Sequence, residues 1–257
     1  MTSAPAMTAL VLAGSRAGGD PLAVHAGVSH KALIDIGGQT MLQRVLAALD
    51  AAPEVARIVI VIEKPEIVAT LTGIAKPVTA MTPASGPSAS VAAALAEQGT
   101  PMFVTTADHP LLDARWVAEF IAGVPADADA AVALAHRSAV NRAAPESQRT
   151  WLRFADGDYS GCNLFLFRRP AAQGLVQLWQ QLEVDRKRPV AMLKRLGFSY
   201  ALRYRLGRLS LDEAMARLGE LSGTRVAAVS LTDGRAAIDV DKPADLELAR
   251  RLVQRRG

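Results

Sequence analysis

Residues 8–21 read Thr8-Ala-Leu-Val-Leu-Ala-Gly-Ser-Arg-Ala-Gly-Gly-Asp-Pro21. The apolar run from Ala9 to Ala13 has the length and continuity of a strand buried on both faces. It breaks into a loop holding Gly14, Gly18, Gly19 and one arginine, Arg16. A glycine loop after a buried strand usually meets phosphate, because backbone N–H groups can approach the oxygens with no Cβ in the way. A following helix N-terminus adds partial positive charge. The GK[ST] ending of a P-loop is missing, and the glycine spacing does not match the G-x-G-x-x-G of a dinucleotide fold, although Asp35 lies at a tempting distance. A nucleoside triphosphate loop, gripped by Arg16 and a later lysine, and an ordinary strand-to-helix turn both remain open.

Further strand and helix patterns alternate after this loop. Leu42, Val45, Leu46 and Leu49 fall at helical spacing behind Thr40, a candidate N-cap. Arg57 to Ile62 and Pro101 to Thr106 read as strands, Pro65 to Thr72 and Asp113 to Val124 as helices, and Ser88 to Leu95 as a serine-capped helix. Strands joined by helical crossovers predict an α/β fold, a Rossmann-like, mostly parallel sheet with helices on both faces. Ligands of such sheets sit at the carboxyl ends of the strands. The second half is more elaborate. It has strand patterns at 130–134, 151–154, 162–167, 226–229 and 237–240, a polar stretch at 137–149 that reads as a loop, and helices near 171–183, 189–196, 210–221 and 243–253. We read 1–257 as one domain, with 1–125 a nucleotide-binding half, 126–235 an acceptor-binding half and 236–257 a metal motif and closing helix.

Composition narrows the function. Half of the 257 residues are hydrophobic and 21% are charged, as in a globular chain. No apolar run reaches the roughly 18 residues that a membrane span needs. MTSAPAMTAL has no basic n-region, so a signal peptide is not expected. The single cysteine, Cys162, excludes an internal disulfide and suits the cytoplasm. The net charge of +4 hides an asymmetry: residues 1–130 carry 7 Lys/Arg and 12 Asp/Glu, residues 131–257 carry 22 and 13. A basic half points to an anionic partner. With no basic tail or aromatic-interleaved basic stripe, a small phosphorylated or carboxylated molecule is expected rather than nucleic acid.

Taken in order, four segments resemble the signature of one enzyme superfamily. They are LAGSRAGG (12–19), Lys31 with GGQTML (37–42), TADHPLL (106–112) and DVDKPADL (239–246). Together they are similar to the nucleotidyltransferase superfamily that contains molybdenum-cofactor guanylyltransferase and the sugar-phosphate cytidylyl- and uridylyltransferases. The resemblance implies the GT-A-like nucleotidyltransferase fold and a transfer of NMP from an NTP, with release of pyrophosphate. It implies that Leu12, Ala13, Gly14, Ser15, Gly18 and Gly19 cradle the nucleotide, and that Ser85, Gly86 and Ser90 face it at the next helix. The Ser90-Val91 and Ala94-Leu95 piece looks most like the cytidylyltransferase version, which favours CTP, then GTP. Arg16, Lys31 and Asp108 would be catalytic, and Asp108, Asp239 and Asp241 would hold Mg²⁺. Read without the resemblance, Asp108 and Asp241 are also candidate helix caps. Two departures stand out: Ser15 replaces the usual second glycine, and about ten residues (GDPLAVHAGV) lengthen the path to Lys31.

The acceptor is expected on the basic half. A period of two would put Arg149, Trp151 and Arg153 on one strand face. Tyr159 to Phe165 resembles the strand lining the acceptor pocket in relatives, with Gly161 allowing close approach and Asn163 offering an amide. A sugar phosphate, polyol phosphate or phosphoglycerate fits such a set, with a homodimer as the candidate assembly. Two rivals remain: a GT-A glycosyltransferase, and a non-catalytic nucleotide-binding relative.

Overall fold

The computed structural model describes residues 6–15, 19–185 and 188–255. Arg16 and Gly18 therefore lie outside the described residues, as do Arg186 and Lys187. Among the described residues eight strands form one sheet: β1 (Met7–Leu12), β2 (Val55–Val61), β3 (Val78–Met81), β4 (Met102–Thr106), β5 (Ala130–His136), β6 (Leu152–Phe154), β7 (Gly157–Phe167) and β8 (Val226–Leu231). Their order is β3-β2-β1-β4-β7-β5-β8, with β6 paired to β7. The pairs β1–β2, β2–β3, β1–β4 and β5–β8 are parallel, and β7 runs antiparallel to β4, β5 and β6. The expected Rossmann-like, mostly parallel α/β fold is present.

The helices are α1 (Pro21–His25), α2 (Met41–Ala51), α3 (Glu66–Ala69), α4 (Pro87–Gln98), α5 (Ala114–Gly123), α6 (Arg137–Ala143), α7 (Gln173–Asp185), α8 (Pro189–Leu196), α9 (Phe198–Arg205), α10 (Leu211–Ser222) and α11 (Pro243–Gln254). Alternate residues of β1 serve two apolar cores. Ala9 and Val11 pack on one sheet face with residues of α2, α5 and α11, while Leu10 packs on the other with Val91 of α4 and Val176 of α7. Burial on both faces explains the unbroken apolar runs of the central strands.

Several expectations need correction. The helix after Gly86 starts at Pro87 and has no side-chain cap, so no serine caps it. Residues 137–143 are helical, not loop, because the His136 ring accepts from the Ser138 N–H at 3.2 Å and caps α6. Residues 237–240 are not a strand. A 3-10 turn, Gly234–Ala237, ends there, and the chain runs on extended, with the Val240 N–H bonded to the Asp108 carbonyl at 2.9 Å. The strand expected at 151–154 begins at Leu152, so Arg149 and Trp151 precede it and share no strand face with Arg153. The edge strand β3 and the helix α9 had no expectation.

Candidate active site

Strand order reverses at β1. β2 and β3 lie on one side of it and β4 on the other, so the carboxyl ends of β1 and β4 flank a crevice at a topological switch point. Backbone bonds hold this rim: the Ala107 N–H donates to Leu12 and the Ala13 N–H to Val61, both at 2.9 Å. Gly14 and Ser15 follow β1, and Asp108 follows β4. The Val240–Asp108 bond lays Asp239 and Asp241 alongside.

Lys31 joins these segments. Its Nζ donates to Asp108 Oδ2 at 2.9 Å and to Asp241 Oδ1 at 3.0 Å. Burial alone would lower the ammonium's pKa, but Asp108 and then Asp241 outweigh it and raise it. The ten extra residues before Lys31 do not displace it. They fold as α1, whose first N–H groups are capped by Asp20 (Leu22 N to Oδ1, 2.8 Å), and Leu22 is buried with Ile34, Ile36, Met41 and Val240. Neither aspartate is a helix cap: Asp113 caps α5, and Asp245 accepts from the Asp241 and Lys242 N–H groups before α11.

Asp239 is held differently. Its Oδ1 accepts from Arg149 Nη1 at 2.5 Å and its Oδ2 from the Asn163 amide at 3.0 Å. Burial alone would raise its pKa, but Arg149 and then Asn163 lower it below the usual carboxylate range. Asn163 reaches it through a bulge. Gly161 pairs with Leu134 and Phe165 with Val132, so three β7 residues face one β5 residue. Asn163 takes φ 53° there, a left-handed conformation that asparagine tolerates better than most residues. Arg149 Nε is buried and has no hydrogen-bond partner among the described residues.

The first loop carries a second constellation. The Ser15 N–H donates to both Glu63 oxygens at 3.1 Å, and its hydroxyl meets His30 Nε2 at 2.9 Å, which lies 3.2 Å from Glu63 Oε1. His30 Nδ1 accepts from the Ala32 N–H at 3.1 Å, which turns Nε2 towards Ser15 and Glu63. Burial alone would raise the Glu63 pKa, but the bonds from its own backbone and from Ser15, together with His30, lower it. The serine that departs from the family pattern thus ties the loop to the segment after β2 and to the segment before Lys31. A comparable carboxylate meets α4: Glu183 accepts from the Ser88 N–H at 3.3 Å and from the Ser88 hydroxyl. Sequence reasoning missed Glu63, His30 and Glu183, which carry no motif and come from elsewhere in the chain.

The other expected residues divide. Ser85 is exposed, Gly86 half-buried, and Ser90 buried with its hydroxyl spent on the Ala84 N–H and the Gly86 carbonyl. Gly19 has φ 90°, a left-handed value that favours glycine. Tyr159 is half-buried, edge-on to His136, and Gly161 is exposed. Arg153 is exposed, and its backbone N–H donates to the Tyr204 hydroxyl. Neither Tyr159 nor Arg153 joins the Lys31 cluster. Cys162 is buried, and burial pushes its thiol well above the ordinary range, so it is no nucleophile.

A hard divalent cation fits these residues. Asp108 and Asp241 converge on one cationic position. Asp108 Oδ1 is buried beside the Thr106 hydroxyl and meets no partner of good hydrogen-bond geometry. Burial raises the Asp108 pKa against the pull of Lys31, so added positive charge there would be favourable. Among the described residues no three His, Cys, Asp or Glu side chains form a ready-made metal cage. Mg²⁺ is commonly held by one or two carboxylates plus substrate phosphates, a role that Asp108 and Asp241 could fill.

The family model of the MobA-like NTP transferase domain matches residues 9–220. The chain belongs to this family and is a nucleotidyltransferase. No curated protein matches it by sequence. Among solved structures it is similar to a hypothetical transferase from Thermus thermophilus, with 29% identity and a TM-score of 0.82 over 94% of this chain and 99% of that one. CMP:2-keto-3-deoxy-manno-octonic acid synthetase, solved with CTP, shares the fold at 16% identity and a TM-score of 0.59, covering 98% and 99%. The 4-diphosphocytidyl-2C-methyl-D-erythritol synthase of Anaerococcus prevotii does so at 11% and 0.57, covering 97% and 96%. Among the described residues no helix is long and apolar enough to cross a membrane.

Proposed function

We propose that the chain transfers NMP from CTP, or second from GTP, to a small phosphorylated acceptor, with Mg²⁺ held by Asp108 and Asp241. The reading rests on one observation above all: Lys31, Asp108 and Asp241 meet at the rim beside the loop that follows β1. CTP is favoured by the Ser90–Leu95 segment and by a fold neighbour solved with that nucleotide. An acceptor phosphate oxygen attacks the α-phosphorus, the bond to the β-phosphate oxygen breaks, and pyrophosphate leaves with the electron pair. The nucleophile is already anionic, so the site needs no strong base. It must hold two anions together and neutralise their charge. Mg²⁺, when bound, supplies positive charge to the triphosphate oxygens. Lys31 supplies a fixed ammonium, and the family resemblance gives Arg16 the same task. Asp239 accepts from the Arg149 guanidinium and from the Asn163 amide, which fixes all three side chains on the expected acceptor side. Sugar phosphates, polyol phosphates and phosphoglycerate are the acceptor classes, and we propose a homodimeric assembly.

Pyrophosphate release is the test, with CTP, GTP, UTP and ATP crossed against these acceptors in the presence of Mg²⁺. Release with one pair, lost on Asp108→Ala, is expected. Nucleotide binding with no turnover for any pair would favour a regulatory relative instead. No effect of any nucleotide on turnover or melting would overturn the reading.

A further inference from the structure

Residues 186–208 read RKRPVAMLKRLGFSYALRYRLGR, with eight Lys/Arg and no Asp or Glu. The described part forms α8 and α9, joined at Gly197, whose φ of 99° favours glycine. One side of α9 is anchored. Tyr204 packs edge-on against Phe154, the Arg217 guanidinium lies 4.9 Å from the Tyr200 ring centroid, and Arg203 pairs with Glu213. The opposite side presents Phe198, Leu202 and Leu206 at i, i+4 and i+8, which are 72%, 45% and 57% exposed. Lys194, Arg205 and Arg208 of the same segment are exposed as well. Of the seven exposed large apolar side chains among the described residues, four fall between Phe198 and Leu206, so the concentration is local.

We propose that the α8–α9 face docks on an anionic lipid bilayer surface. The row of Phe198, Leu202 and Leu206 enters the headgroup–acyl boundary while the surrounding cations meet anionic headgroups. The charge distribution selects this occupant. A two-fold contact with a second copy would press the exposed cations Lys194, Arg205 and Arg208 against the same cationic patch of the other copy. A single-stranded nucleic acid would call for stacking platforms, and two of the three row residues are leucines. The face is carried by the β6–β7 hairpin, through Phe154 and Arg153, and β7 also bears Asn163. Docking would therefore bring the bilayer to the acceptor side of the molecule.

The experiment is co-sedimentation of the full chain with vesicles of phosphatidylcholine alone and of phosphatidylcholine with phosphatidylglycerol. The expected result is binding to the anionic vesicles that weakens as salt rises and is slight on the neutral ones. The Phe198→Glu/Leu202→Glu variant should partition at least about tenfold less, since it removes apolar contact and adds repulsion. Its melting temperature should stay unchanged, because both side chains are exposed. Equal partitioning of parent and variant, or no preference for anionic vesicles, overturns the proposal. So does RNA binding without vesicle binding, or a concentration-dependent dimer that the variant abolishes.

Discussion

Replacing Lys31 by methionine keeps the aliphatic stem and removes the charge that two carboxylates share. The Lys31 side chain is 16% exposed, Asp108 25% and Asp241 67%. The arm to Asp241 is screened by water and is worth at most about 1 kcal/mol. The arm to Asp108 approaches the buried case, in which loss of one partner costs about 3–5 kcal/mol. Partial exposure lowers that, so Lys31→Met should destabilise the protein by roughly 2–4 kcal/mol in the absence of Mg²⁺. For a chain of this size each kcal/mol shifts melting by about 2–4 °C, so Tm should fall by roughly 4–16 °C. Asp108→Asn alone should also destabilise. In the double variant Lys31→Met/Asp108→Asn, neither charge is left unpaired, so its loss should be smaller than the sum of the singles by about 1–3 kcal/mol. Urea unfolding of all four proteins, in chelator and at neutral pH, measures that coupling. Strictly additive losses would refute the pairing. The result is independent of the substrates, so a failed activity screen would not touch it.

Three further outcomes follow from the same geometry. Cys162 should resist a thiol reagent in the native protein and react stoichiometrically once urea unfolds the chain, because it is 1% exposed and burial raises its pKa; rapid native labelling would contradict this. Gly234→Ala should lower Tm by several degrees: a Cβ there would lie 2.2 Å from Ala139 C, backbone that cannot swing aside, and overpacking of this kind costs about 1–3 kcal/mol. Glu213 is held at a pKa of about 2, mainly by Arg203 and then by the Ser210 N–H. Its depressed folded-state value means that its stabilisation is present above its ordinary value of 4.5 and is lost as pH falls towards 2. Glu213→Gln should therefore flatten the fall of stability over that interval, as read by urea midpoints at stepped pH, and an unchanged slope would refute the assignment.

What could be read from the chain beforehand was what is local in sequence. The end of β1, the Asp108 turn and the DVDKPADL segment each join a strand pattern or helix start to a motif, and Lys31 carries its own spacing. The pieces that were misread or drew no expectation depend on contacts their own residue pattern does not show. Val78–Met81 is only four residues long and gains its ladder from β2 alone. Arg137–Ala143 looks polar, yet the His136 ring caps it and Gly234 lies close enough to pack against its backbone. Ile238 and Val240 alternate like a strand because both are buried, but the backbone there turns and then follows Asp108. Asn163 could be named as a polar group on β7. The bulge that aims it at Asp239 is a register shift against β5, and register is not written in one strand's pattern.

The missed residues also explain how the free site stays folded while presenting groups meant for anions. Lys31 is neutralised by Asp108 and Asp241, and Arg149 by Asp239. The Ser15 N–H is occupied by Glu63 and the Ser88 N–H by Glu183. Each pair sets a protein charge or dipole against its complement from another segment, and for the more buried Lys31–Asp108 and Arg149–Asp239 pairs this avoids the several kcal/mol that an unpaired buried charge costs. On the proposed reaction, a triphosphate would exchange with Glu63 and Glu183, and Mg²⁺ would compete with Lys31 for Asp108 and Asp241. Binding would then gain only the difference between two sets of charge-assisted bonds. Such an exchange favours discrimination over raw affinity, because a ligand lacking the full set of phosphates displaces the internal partners without replacing their bonds. Ser15 and the longer path to Lys31 then belong to one device: the serine anchors the loop through Glu63 and His30, and α1 carries the chain back so that Lys31 still reaches the carboxylates.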